Sequence, residues 1–196
     1  MWVQLLVPQR IEIAGSAKHY QPGDWVEVGK QQAHYWFDRN VAWSPEVLTL
    51  PEGCGVVVPT ANLAPQFGRL EMVVGQYTLP FERNVIWDGK TPLDGRVLVG
   101  LQLLDVWQMA APVYSYDELA WMMGSEEDRA KTKAIVHDLR IPVYNPHLLF
   151  VRRDAETERL FALWRDDHEG DARLALMRAV YQVKPMVLPL PQSWSK

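Results

Sequence analysis

Three apolar runs constrain this chain more than any other feature. Gly55-Val56-Val57-Val58, Asn84-Val85-Ile86-Trp87 and Leu148-Leu149-Phe150-Val151 are continuous rather than alternating. A strand takes that pattern when both of its faces are covered, as in a sheet packed between other layers. Helix signals lie between and after these runs. Ser115 with Glu118 predicts a capping box opening a helix through Met123, and Ser125 with Asp128 predicts a longer helix to about Asp138, with Ala130, Ala134, Ile135 and Leu139 near one face. Pro142 closes that segment. Asp154 is placed to cap a helix carrying Leu160, Phe161 and Trp164 on one stripe, and Asp171 one carrying Leu176, Ala179, Val180 and Val183. Strands alternating with helices define an α/β layer architecture, expected over residues 53–196 with central strands near Val56, Val85 and Leu149.

The first 45 residues read differently. Short β-like runs at Trp2–Val7, Ile11–Ile13 and Trp25–Val28 are separated by the turn signals Ala14-Gly15-Ser16 and Gln21-Pro22-Gly23-Asp24. A helical turn is predicted over Lys30–Phe37, placing Ala33 beside Trp36 and Phe37. The expectation is a small β-rich module over residues 1–48, SH3-like or hairpin in form, with Pro45–Glu52 as the junction. A chain of 196 residues with 48% hydrophobic content supports one core with a small satellite, not two full domains.

Composition removes several classes of function. The apolar runs fall well short of the roughly 20 residues of a membrane span, and the opening MWVQLLVPQR carries no basic leader, so a soluble protein without a signal peptide, cytoplasmic on synthesis, is expected. Cys54 is the one cysteine; an internal disulfide is impossible, and PEGCGVVVP reads as a small residue entering a buried strand rather than a nucleophile. The net charge of −4 is spread along the chain with no basic block, which argues against nucleic acid as the main partner. His19, His34 and His168 have no metal-ligand spacing, and no phosphate loop, nucleophile elbow or Cys-x-x-Cys pair is present. His137 beside Asp138 reads either as a general-base pair or as a solvated helix end, the latter favoured.

One ordered set of segments carries a family resemblance. Leu79-Pro80-Phe81-Glu82-Arg83-Asn84-Val85-Ile86-Trp87-Asp88-Gly89-Lys90-Thr91 is similar to the strand of GT-A nucleotide-sugar transferases that ends in the Asp-x-Asp metal motif, and Leu101–Ala111 resembles the helix and strand that come next there. Tyr144–Arg153 resembles the family's Asn-x-Gly strand, Phe161–Trp164 its next helix, Gly170-Asp171-Ala172 its Asp-Gln pair, and Leu190-Pro191-Gln192-Ser193-Trp194-Ser195 its closing Leu-Pro-x-x-Trp-Asn. The resemblance implies a truncated GT-A-like domain. It also implies that, if the site is active, Asp88, Lys90 and Asp171 are catalytic and Asn145, His147, Arg152 and Trp194 bind the nucleotide sugar.

Departures weigh against activity. Lys90 stands where the second metal-binding carboxylate belongs, so no metal and no cofactor is expected. His147 replaces the Gly, Ala172 the Gln and Ser195 the final Asn, and Gly55–Leu79 leaves room for only a fragment of the nucleotide-binding region. Bland readings stand beside each of these residues: Asp88 before Gly89 suits a turn, Asp171 suits a helix N-cap, and Arg152-Arg153 suits an exposed strand end.

The order of the N-terminal module, through Tyr20-Gln21-Pro22-Gly23-Asp24-Trp25-Val26-Glu27-Val28 to Asn40-Val41-Ala42, resembles a short module of bacteriophage-encoded proteins. The favoured expectation is a non-enzymatic interaction protein of a virion, a pseudo-glycosyltransferase, in which some of Trp2, Trp25, Trp36 and Trp43, too many for so small a module to bury, face a protein partner or a second copy. The alternative is a metal-independent glycosyltransferase in which Lys90 and the arginines take the metal's place.

Overall fold

A computed structural model describes residues 1–13, 16–44, 48–58, 71–75, 77–89, 91, 93–114, 119–167 and 169–195. The first part holds β1 (Trp2–Leu5), β2 (Gln9–Ile13), β3 (Ser16–Tyr20), β4 (Trp25–Glu27), α1 (Lys30–Phe37) and β5 (Ala42–Trp43). The larger part holds β6 (Cys54–Val58), β7 (Met72–Val74), β8 (Arg83–Trp87), α2 (Arg96–Leu103), β9 (Met109–Pro112), α3 (Glu126–Val136), β10 (Leu148–Arg152), α4 (Ala155–Asp166), α5 (Ala172–Val183) and β11 (Val187–Leu190).

The three continuous apolar runs become β6, β8 and β10, neighbours inside a six-stranded sheet of order β11-β9-β10-β8-β6-β7. Among the described residues β10 alone runs against the others: it is antiparallel to β8, with Phe150 opposite Val85, and antiparallel to β9. The pairs β6–β7, β6–β8 and β9–β11 are parallel. Alternate residues of the same strands therefore feed two cores. Val56, Val85, Trp87 and Phe150 face one side with Val97 and Leu101 of α2. Val57, Ile86, Leu149 and Val151 face the other, against Leu160, Phe161 and Trp164 of α4 and Leu176 and Ala179 of α5. This double cover is what the unbroken apolar pattern requires.

The helix caps obey the local sequence. Ser125 accepts the Asp128 N–H in a reciprocal capping box, Asp154 accepts the Glu156 and Thr157 N–H groups, and Asp171 accepts the Arg173 N–H. The buried face of α3 differs from the expected one: Thr132 and Val136 are covered while Ala130 and Ala134 are exposed. Thr132 receives the buried Arg178 guanidinium of α5, so this helix packs through a polar contact that apolar periodicity cannot reveal. The Ser115–Glu118 signal lies outside the described residues, and beyond it the chain makes a short 3-10 turn at Ala120–Met122 instead of a helix through Met123.

Among the described residues, those of 1–44 add no strand to the large sheet. They form a three-stranded antiparallel sheet, order β4-β1-β5, and a separate β2–β3 hairpin. Val3, Leu5, Val26, Ala33, Trp36 and Ala42 make a core of their own. Trp36 is thus internal to the module, not available to a partner. Trp2, Trp25 and Trp43, half-buried, pack instead against the α2 side of the large sheet, where α2 is too short to cover all of it. The Pro45–Val47 part of the expected junction lies outside the described residues. Among the described residues no helix is long and apolar enough to cross a membrane.

Candidate functional site

Most of the polar residues that the sequence offers as a site lie at the end of the sheet where β8 stops. Trp87, the last residue of β8, is fully buried, and its indole N–H donates to the Thr91 carbonyl at 2.5 Å. That bond folds the chain back after Gly89, whose φ of 78° is available without strain to glycine. Asp88 Oδ1 accepts the Thr91 N–H at 2.9 Å, so the carboxylate holds the turn closed. Asp88 Oδ2 lies 3.7 Å from His147 Nδ1, and the Asp88 N–H donates to the His147 carbonyl at 2.9 Å. His147 is the more open of the pair, with its side chain 55% exposed against 16% for Asp88.

A polar chain runs on from His147. Buried Asn145 accepts the His147 backbone N–H through Oδ1 at 3.0 Å, and the same oxygen accepts the Tyr114 hydroxyl at 3.4 Å. The Arg173 guanidinium lies over the Tyr114 ring, 6.0 Å from its centre, while Arg173 Nε and Nη2 donate to Asp171 at 2.9 and 2.5 Å. Burial pushes the Asp171 carboxyl up, but the hydrogen bonds and charge of Arg173 outweigh it and hold the group below the ordinary Asp value. Asp171 in turn keeps Arg173 protonated above its usual range, through their hydrogen bond first.

The structure therefore brings Asp88, Asn145, His147 and Asp171 to one end of the sheet and links the last three through Tyr114 and Arg173. Neither Tyr114 nor Arg173 stands out in the sequence; the position of Arg173, two residues past an N-cap aspartate, is the one local signal for it. Arg152 is placed elsewhere. Because β10 runs antiparallel to β8, Arg152 pairs in register with Arg83 at the amino end of β8, donates to the Leu104 carbonyl at 3.1 Å, and lies near Asp154. It cannot act beside Asp88. Trp194 packs edge-on against Phe150, ring centres 6.0 Å apart, as part of the α2-side core. Lys90 lies outside the described residues.

The N-terminal module reaches the same turn. Gln4 Nε2 donates to the Gly89 carbonyl at 3.3 Å and to the Gly23 carbonyl at 3.0 Å, Trp25 Nε1 donates to Gly89 at 3.2 Å, and Trp43 Nε1 donates to Gln4 Oε1 at 2.8 Å. The rings of Trp25 and Trp43 stand edge-on to Trp87, centres 6.2 and 6.3 Å away, and to each other at 5.8 Å. Trp25 and Trp43, two of the four tryptophans that the sequence offers to a partner, thus meet this chain's own sheet.

Chemically, the arrangement matches charge with charge inside the chain. The Arg173 fork, the shape that would grip a phosphate, is closed on Asp171. Among the described residues no three His, Cys, Asp or Glu side chains are grouped to hold a metal ion. Comparison with protein-family models, with curated proteins and with solved structures gives no match.

Proposed function

We propose that this protein is a non-enzymatic structural or interaction protein, built on a degenerate sugar-transferase-like scaffold and working as a component of a bacteriophage virion. The observation that carries the reading is the commitment of Asp88. Its carboxylate closes the turn after β8 on the Thr91 N–H and faces His147, so the group that would bind a divalent ion has a structural task. The closed Asp171–Arg173 pair supports the same reading, since an arginine at this end of the sheet already has its anion. A metal-independent transferase, which would draw on Arg152, gains no support from an arginine at the far end of the sheet. The virion setting rests on the likeness of the N-terminal segment to modules of phage-encoded proteins.

Titration calorimetry of the full chain with a panel of nucleotide sugars, with and without manganese, tests the non-enzymatic part. No binding and no turnover are expected. Micromolar, manganese-dependent binding abolished by Asp88→Ala would overturn it. Mass spectrometry of purified particles tests the setting, where the chain is expected at a fixed copy number.

A further inference from the structure

We infer that residues 1–44 form a releasable cap over the turn at the carboxyl end of β8, a two-state device rather than a fixed part of the core. The location gives the cap its meaning. In the large sheet the chain leaves β6 toward β7 on one side, while β8 lies on the other, so the carboxyl ends of β6 and β8 flank a point where the strand order reverses. Open α/β sheets take their ligands and partners at such points. Here the β8 side of that point is covered by Gln4, Trp25 and Trp43.

Three features make the cover separable. The module owns a core, centred on Val3, Val26 and Trp36, distinct from the core of the large sheet, so lifting it does not require dismantling it. The polar clamp converges on one backbone carbonyl, that of Gly89, through two side-chain donors. And beside the clamp the seam is open to solvent along a surface groove of about 550 Å³, between Leu6, Phe37 and Trp43 of the module and Leu93, Asp94 and Arg96 at the start of α2. Lifting the cap parts Trp25 and Trp43 from Trp87 and bares the ring faces on both sides of the seam, aromatic surface of the kind that anchors protein contacts. The use of that surface rests on the interaction reading above; the release does not.

Native-state hydrogen exchange by NMR on the full chain tests the device. The indole N–H groups of Trp25 and Trp43 are expected to exchange at least tenfold faster than the backbone amides of Val3 and Phe150, with a weak dependence on denaturant that marks opening short of global unfolding. The substitution Trp25→Phe, which removes one clamp donor while keeping apolar bulk and leaves the Gln4 acceptor of Trp43 in place, should raise Trp43 indole exchange a further tenfold and increase binding of an apolar fluorescent dye, with Val3 and Phe150 still protected. Exchange of the indoles and both amides at one rate with one denaturant slope would overturn the proposal, because the seam would then open only with the whole fold. An unchanged Trp43 rate in the substituted chain would overturn it equally. Turnover of nucleotide sugars by the wild type would sink the non-enzymatic reading and leave the exchange result standing.

Discussion

The indole N–H of Trp25 donates to the carbonyl of Gly89 at 3.2 Å, joining the small sheet to the turn after β8 across 64 residues of chain. Trp25→Phe deletes the donor and keeps most of the ring. A loss of about 0.5–1.5 kcal/mol in unfolding free energy is expected from one such bond, read as a lower urea midpoint. Trp25→Ala also removes the edge-on contacts with Trp43 and Trp87 and should cost distinctly more. Equal losses for the two variants would mean that the ring contributes nothing at the seam.

Gly100 in α2 tests how closely that helix approaches the sheet. A methyl group there would overlap the ring of Phe150, which is fully buried and has no room to turn. Helix propensity alone favours Ala over Gly by about 1 kcal/mol, whereas overpacking a core costs about 1–3 kcal/mol. The approach is so close that the steric term should win. Gly100→Ala is expected to lower the melting temperature, and a rise would show that α2 lies farther from the sheet.

The acid limb of stability should report Asp154 and Asp171. Burial acts to raise both, but for Asp154 hydrogen bonds from Thr157 and Gln108, and for Asp171 those from Arg173, win and depress both groups below the ordinary Asp value. A depressed carboxyl contributes stability in full above the unfolded value, near pH 3.9, and loses it as pH falls through the folded one. Unfolding free energy should therefore drop below about pH 4. Asp171→Asn keeps a capping side chain but removes the charge, so its acid limb should be shallower than that of the wild type in urea titrations between pH 2 and 5.

Arg178 offers a fourth check. It is buried, donates to Asp167 and to Thr132 Oγ1 at 2.8 Å, and so ties α5 to α3 and to the end of α4. Removing the partner carboxylate leaves a buried cation with fewer acceptors. Asp167→Ala is expected to cost about 1.5–3 kcal/mol, the range for a hydrogen bond to a charged group, with the low end favoured because Asp167 is 41% exposed. No change in denaturation midpoint would show that the pair contributes nothing.

Local chemistry made much of this fold legible. Val56–Val58, Val85–Trp87 and Leu148–Val151 announce buried strands because both faces are apolar, and Ser125, Asp154 and Asp171 announce helix starts because each satisfies N–H groups of its own first turn. The strands β3, β7 and β11 escaped, being short, partly exposed or interrupted by Pro189. What no local pattern carries is direction. That Arg152 lies far from Asp88 is a consequence of the reversal of β10, and Trp25 and Trp43 turn inward because an eight-residue α2 leaves a sheet face bare. Asp88 itself was legible as a turn residue from Gly89 beside it; its approach to His147 was not.

The reversed strand also governs the timetable of synthesis. β8 needs β10 on one flank, and β10 ends at Arg152, so the sheet stays incomplete until residues far downstream of Gly89 have been made. At ordinary translation speeds the interval from Gly89 to Arg152 lasts on the order of 3–12 s. The N-terminal segment emerges first and can gather its own small core while its intended seat is unfinished. During that interval Trp25 and Trp43 face whatever surrounds the ribosome, and a growing chain is exposed to wrong pairings that the finished one has closed off.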